Sequence, residues 1–350
     1  MTVEDNKISG ALSEIDVSAS MLEAAVNAVG TCLSAANDDS AVIIYDKSTI
    51  NVGAALDSAF RTIGTPTKTF NLDSIGDRPL PTLPGQIASA LRSATVSAMA
   101  VTTVRGELSL RKLVLEVVTE QKIRHAHMPA ITDEVFVDGL SMNYREVAKL
   151  IEILIALAEK NNSITMTSPA GTNLEINYTT PLIFDKMDGL IIPNRWQNLP
   201  SGQLIIYPDD VSGIYVIDRN IGDWFEHKFD VTEHPITLVI EDGRVRTINC
   251  DNKRLEREVG LFLRSSDNSG RISELVIGAN LGLTKDRPNS LLDSYRPSAS
   301  LVLGGFNHSQ KVNWSSATIL PVFGNNASLF IGARQIMMSD AFSTDLTEAD

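Results

Sequence analysis

The hydrophobic period of the chain changes once, near residue 160, and that change limits the folds open to it. Before it, short apolar runs alternate with amphipathic helical segments; after it, the pattern is mostly of strands. Ser20 and Glu23 have the spacing of a capping box opening a helix, with Leu22, Val26, Val29 and Leu33 on one face. The apolar run AVIIYD from Ala41 follows, then a helical segment with Val52, Leu56 and Phe60 in register. KTFNL from Lys68 and SAMAVTTV from Ser97 read as buried strands separated by the helix PGQIASALRSA. This rhythm predicts a small parallel sheet with helices on its faces. No glycine-rich phosphate fingerprint follows the first strand, which disfavours a nucleotide site.

The strongest helix runs from about Asn143 to Lys160. Asn143 and Glu146 give it a cap-like start, and Val147, Leu150, Ile151, Leu154 and Leu157 form its core stripe. Beyond it, SITMTSP, LEINY, GQLIIYP and GIYVIDR read as strands. PITLVIEDGRVRTIN reads as a hairpin turned by Asp242-Gly243, and a helix spans about Lys253 to Leu263. The fold class predicted is α/β, with an α/β domain over 1–165, a strand-rich α+β domain over 166–340 and a flexible tail over 341–350.

With 350 residues the chain can bury two cores. A net charge of −13 argues against a nucleic-acid or anionic-membrane partner, whose phosphates it would repel. Cys32 and Cys250 are the only cysteines. They form no disulfide framework and read as buried thiols in a reducing, cytoplasmic setting. The acidic, polar N-terminus does not read as a secretory signal.

Several short motifs could carry chemistry. His125 and His127, in RHAHMP, could ligate a metal from one strand face, but no Cys, Asp or Glu stands beside them at ligand spacing. The alternative is a loop whose histidines hydrogen-bond a domain surface. Glu274 lies among apolar residues in SELVIGAN, where a carboxylate needs a partner. In KVNWSSATIL, read as a strand, Asn313 and Ser315 would point to one surface, flanking Trp314.

RHAHMPAITDEVF, TSPAGTNLEI, NLPSGQ, SELVIGAN and VNWSS, with a helix after the first, stand in the order found in the aminopeptidase T family, which the chain resembles over nearly its whole length. The pyridinediol ring-cleaving dioxygenases look like distant relatives of that family. The resemblance implies an α/β N-terminal domain, a β-rich C-terminal domain bearing the site, and a homodimer. It also implies two metals held by glutamates, histidines, a tyrosine and an aspartate. Carried across, the first glutamate position is Gln203, and the second is kept as Glu274. The first histidine falls on Leu301, the tyrosine near Phe306 to His308, and the HWD motif becomes Asn313-Trp314-Ser315. One glutamate cannot hold two divalent ions, so the resemblance implies that metal and cofactor are both absent.

Gln203, Asn313 and Ser315 keep hydrogen-bonding capacity without charge. The expectation drawn is a non-catalytic protein binding a peptide or precursor peptide through Gln203, Glu274, His308, Asn313, Trp314 and Ser315. An accessory role in a peptide natural-product pathway would suit it. Two alternatives stay open. One is a single-metal or metal-free hydrolase or oxygenase regrouping Glu274, His308 and Asp293. The other is a structural subunit paired with a catalytic paralogue.

Overall fold

A computed structural model describes residues 12–222, 224–283, 289–305, 311 and 313–347. The chain divides into two compact units, the first formed by Met1–Arg145 with Gly189–Ser201 and the second by Glu146–Asp188 with Gly202–Asp350. The first unit therefore recruits a short segment from beyond residue 165. Among the described residues, no helix is long and apolar enough to cross a membrane.

The first unit is the α/β fold that the alternating pattern predicts. Strands β1 (Ala41–Tyr45), β2 (Thr67–Asn71), β3 (Val96–Val101), β4 (Arg124–Pro129) and β8 (Gln197–Asn198) form a parallel sheet in the order β2-β1-β3-β4-β8. Helices α1 (Ala19–Val26), α2 (Ile50–Ile63), α3 (Gly85–Arg92), α4 (Leu108–Glu120) and α5 (Asp133–Gly139) accompany it. The cap of α1 is Ser18 rather than Ser20, since the Ser18 hydroxyl accepts from the Met21 N–H. RHAHMP is not a loop but strand β4, with His125 and His127 both buried. Met99 and Val101 of β3 pack with Leu110, Val114 and Val117 of α4 and with Ile87 and Leu91 of α3 in one apolar cluster.

The strand order reverses between β1 and β3, and open α/β sheets hold ligands in the crevice at the carboxyl ends of such a pair. Here that place is filled by an ion-pair network. Asp46, just after β1, accepts from the Ser48, Thr49 and Thr102 N–H groups and from Arg78 Nη1 at 2.7 Å. The same guanidinium donates to Glu107 through Nε at 2.9 Å and Nη2 at 2.5 Å. The absence of a phosphate fingerprint from the sequence and this plugged crevice agree.

Helix α6 (Tyr144–Ala158) leads along the chain into the second unit, which is strand-rich as expected. One antiparallel sheet takes β5 (Ser163–Thr167), β6 (Asn173–Asn177), β10 (Asp210–Ile217), β12 (Ile236–Glu241), β13 (Arg244–Asn249), β17 (Ser328–Ile331), β18 (Arg334–Met338) and β19 (Ala341–Phe342). Asp242 and Gly243, at φ of 53° and 68°, turn β12 into β13. A six-stranded antiparallel sheet runs β11-β16-β15-β14-β9-β7, from β7 (Phe184–Met187), β9 (Gln203–Ile206), β11 (Asn220–Ile221), β14 (Ile272–Gly278), β15 (Ser298–Gly304) and β16 (Ile319–Phe323). Helices α7 (Lys253–Phe262), α8 (Ser290–Tyr295) and α9 (Thr344–Thr347) complete the unit. Residues 341–347, expected as tail, thus form a strand and a helical turn that bury Phe342 and Leu346.

Candidate functional site

The six-stranded sheet carries the one buried carboxylate that the motif pattern singles out. Paired residues share a face, so Glu274, Val276 and Gly278 of β14 lie on the same side as Val302, Ser300 and Ser298 of β15. Leu275 and Ile277 lie on the opposite side with Leu301 and Ala299. On β9, Ile205 faces Val276 and Gln203 faces Gly278, which keeps both on the Glu274 side. Asp185 and Met187 of β7 follow them.

At one end of this face stands an acidic cluster. Tyr207 continues β9 and donates its phenol hydrogen to Asp185 Oδ2 at 2.6 Å. Burial, that hydrogen bond and the charge of Glu274 push the Tyr207 pKa far up, so the phenol stays a donor at every physiological pH. Lys311 reaches the other carboxylate oxygen of Asp185 at 3.3 Å and also donates to the Phe184 carbonyl. Tyr207 and Glu274 are buried, whereas Asp185 and Lys311 are over a third exposed. The cluster therefore runs from solvent to a buried carboxylate.

The sequence-derived residues are not all brought together. Gln203 lies opposite Gly278, four residues of strand from Glu274, or about 13 Å at the usual strand rise. Its Oε1 is buried and has no hydrogen-bond partner among the described residues. Leu301 turns its side chain away from Glu274, so a ligand at that position could not join it. Asn313 to Ser316 are not in a strand: β16 begins only at Ile319, and Asn313 and Ser315 are exposed. Trp314 is half-buried beneath the Arg271 guanidinium, 4.6 Å from its ring centroid. Phe306 and His308 lie outside the described residues. Asp293 is committed elsewhere, accepting from Arg219 Nε at 2.5 Å, Asn220 Nδ2 at 3.0 Å and the Asn289 N–H at 3.1 Å. Sequence reasoning missed Tyr207, Asp185 and Lys311, which become neighbours only through the β7-β9-β14 order.

An α/β unit followed by a strand-rich unit is the fold of two solved structures. One is a 2,5-dihydroxypyridine dioxygenase from Pseudomonas putida KT2440, 15% identical over 92% of this chain and 96% of that one, with a TM-score of 0.65. The other is wild-type AmpT from Thermus thermophilus, 12% identical over 92% and 98%, with a TM-score of 0.63. Both likenesses concern the fold. The chain belongs to the NicX family, described as 2,5-dihydroxypyridine 5,6-dioxygenase, whose model matches residues 21–257. No curated protein matches it.

Membership in a dioxygenase family overturns the expectation of a non-catalytic peptide-binding accessory protein built on a dead aminopeptidase. That expectation weighed lost ligands against the aminopeptidase pattern, yet the family match rests on residues 21–257, before Glu274. Ring-cleaving dioxygenases imply a metal, commonly iron on two imidazoles and a carboxylate. Among the described residues, no three His, Cys, Asp or Glu side chains gather to hold one. Glu274 supplies a single carboxylate, Leu301 points away, and Asn313 and Ser315 are neutral. The described residues do not fit such a centre.

Proposed function

We propose that the protein is an enzyme of the oxygenase kind, opening the ring of a hydroxylated nitrogen heterocycle such as 2,5-dihydroxypyridine with dioxygen as co-substrate. The observation that carries this reading is the family match across roughly two thirds of the chain. Both oxygen atoms enter the product as the C5–C6 ring bond breaks, so the substrate is the sole reductant and no external electron donor is needed. The Glu274 face supports the binding half of the task. Glu274 accepts a hydrogen bond from a ring hydroxyl, and Tyr207 is held by Asp185 as a fixed wall. Lys311 offsets part of the acidic charge. A homodimer and a cytoplasmic location belong to the same reading; the two cysteines, both buried and unbridged, suit a reducing compartment.

The test is oxygen uptake with 2,5-dihydroxypyridine, with and without added ferrous iron, alongside loss of the ring absorbance. One dioxygen consumed per ring is expected. Glu274→Gln should lower kcat/KM about tenfold or more, the loss expected when a hydrogen bond to a charged group is weakened. Wild-type protein that shows no ring loss and no substrate binding would sink the reading.

A further inference from the structure

In the first unit, β4 carries two imidazoles, each with one buried nitrogen unpartnered among the described residues. His125 Nδ1 meets the Ser97 hydroxyl at 2.8 Å, but among the described residues its buried Nε2 has no hydrogen-bond partner, and neither has the buried Nδ1 of His127. His125 is wholly buried and His127 is 6% exposed. Buried polar atoms are nearly always paired, so two unpartnered nitrogens with ring centroids 5.7 Å apart mark a place prepared for a polar group. Strand register puts Ser97 beside His125, and Met99 and Asn198 beside His127, on the face that α4 covers.

Charge adds a direction. Arg111, in the first turn of α4, acts electrostatically on His127 and helps hold its pKa down to about 4, after burial itself. Among the described residues, no carboxylate pairs with this half-buried guanidinium. A cation at the amino end of a helix stands against the macrodipole, and an anion there relieves both. Trp196, 37% exposed, meets the His127 ring edge-on with centroids 5.9 Å apart, giving an aromatic wall beside the imidazole.

We propose that Arg111, His127, Asn198 and Trp196 form a binding site for a small planar carboxylate, apart from the Glu274 face. The guanidinium takes the carboxylate through paired N–H donors, which suits a planar anion better than a tetrahedral phosphate. The His127 imidazole, neutral at physiological pH, donates to a carboxylate oxygen, and the indole packs against the flat remainder of the ligand. The ligand class is an aromatic or conjugated monocarboxylate.

Benzoate is the probe, read by the fluorescence of Trp196 in a Trp224→Phe/Trp314→Phe background. Saturable quenching with Kd of about 1 mM or tighter is expected, with none from benzyl alcohol. Arg111→Gln should weaken benzoate binding at least about tenfold and Arg111→Lys less, because lysine keeps charge but loses the paired donors. Thermal midpoints of the variants without ligand separate lost binding from lost folding, and Arg111 is exposed enough to replace. Glu274→Gln should leave benzoate binding intact, which keeps this inference independent of the proposed oxygenase activity. Wild-type protein without saturable quenching, or Arg111→Gln binding as wild type does, overturns the proposal.

Discussion

Arg78→Met should cost about 3–5 kcal/mol of unfolding free energy, the range for breaking a buried ion pair by removing one partner. The Asp46 and Glu107 side chains are 1% and 3% exposed, and Arg78 is 9% exposed. Methionine fills similar space but leaves two carboxylates buried with no cation. The guanidinium lowers the pKa of both: first through its hydrogen bonds for Glu107, and for Asp46 together with Thr102 against the pull of burial. Denaturant unfolding followed by circular dichroism measures the effect. A triple variant, Arg78→Met with Asp46→Asn and Glu107→Gln, should recover much of the loss, because nothing charged then stays unpaired. If the single variant lost under 1 kcal/mol, the network would be a surface feature and not the plug of the sheet crevice. Acid should weaken the same network: depressed carboxylate pKa values contribute stability above their unfolded values near 4, and that stability disappears as pH falls below them.

Elements with a clean period were legible. AVIIYD and KTFNL became β1 and β2 within a residue, SAMAVTTV became β3 with its last three residues left outside, and the helix from Lys253 ends at Phe262, one residue before its expected last position. Local turn chemistry at Asp242-Gly243 was equally plain, since only a positive-φ pair closes that hairpin. The failures came where local pattern and tertiary setting disagree. RHAHMP looks like a polar loop because its histidines are ionisable, yet both are neutral and buried in a central strand. KVNWSS has strand-like alternation, yet Asn313 to Ser316 lie in no strand. Its tryptophan is satisfied by Arg271 stacking instead.

The site was less legible than the fold for a related reason. A motif fixes which residue types recur, whereas a site depends on which strand faces point together. Gln203 and Glu274 sit in neighbouring strands and on one face, yet register separates them by four residues. Leu301 stands where the motif order would put a histidine ligand, but it pairs across strands with Leu275, and its side chain belongs to the apolar side of the sheet. Conversely, Tyr207, Asp185 and Lys311 carry no motif. Their convergence follows from a strand order that no spacing along the chain reveals.

Lowering pH from 7 to 4 should destabilise the first unit by about 3 kcal/mol through His127 alone, the free energy of a proton affinity moved from 6.5 to about 4. In the unfolded chain this imidazole takes up a proton near pH 6.5. In the folded chain burial, then the charge of Arg111, delays that to about 4. Between those values the unfolded state holds more protons, so stability is full above pH 6.5 and falls as pH drops through the window. His125 acts in the same direction, its pKa lowered by burial and by His127. Asp57 of the same unit opposes them, because burial raises its pKa and the folded chain protonates first. A comparison of wild type with His127→Gln removes that opposition, since both chains share Asp57. The two stability curves should converge by about 3 kcal/mol between pH 7 and pH 4. Parallel curves would mean that the imidazole gains a proton as readily folded as unfolded. The ring would then have a counter-charge or water path that the buried face of β4 does not provide.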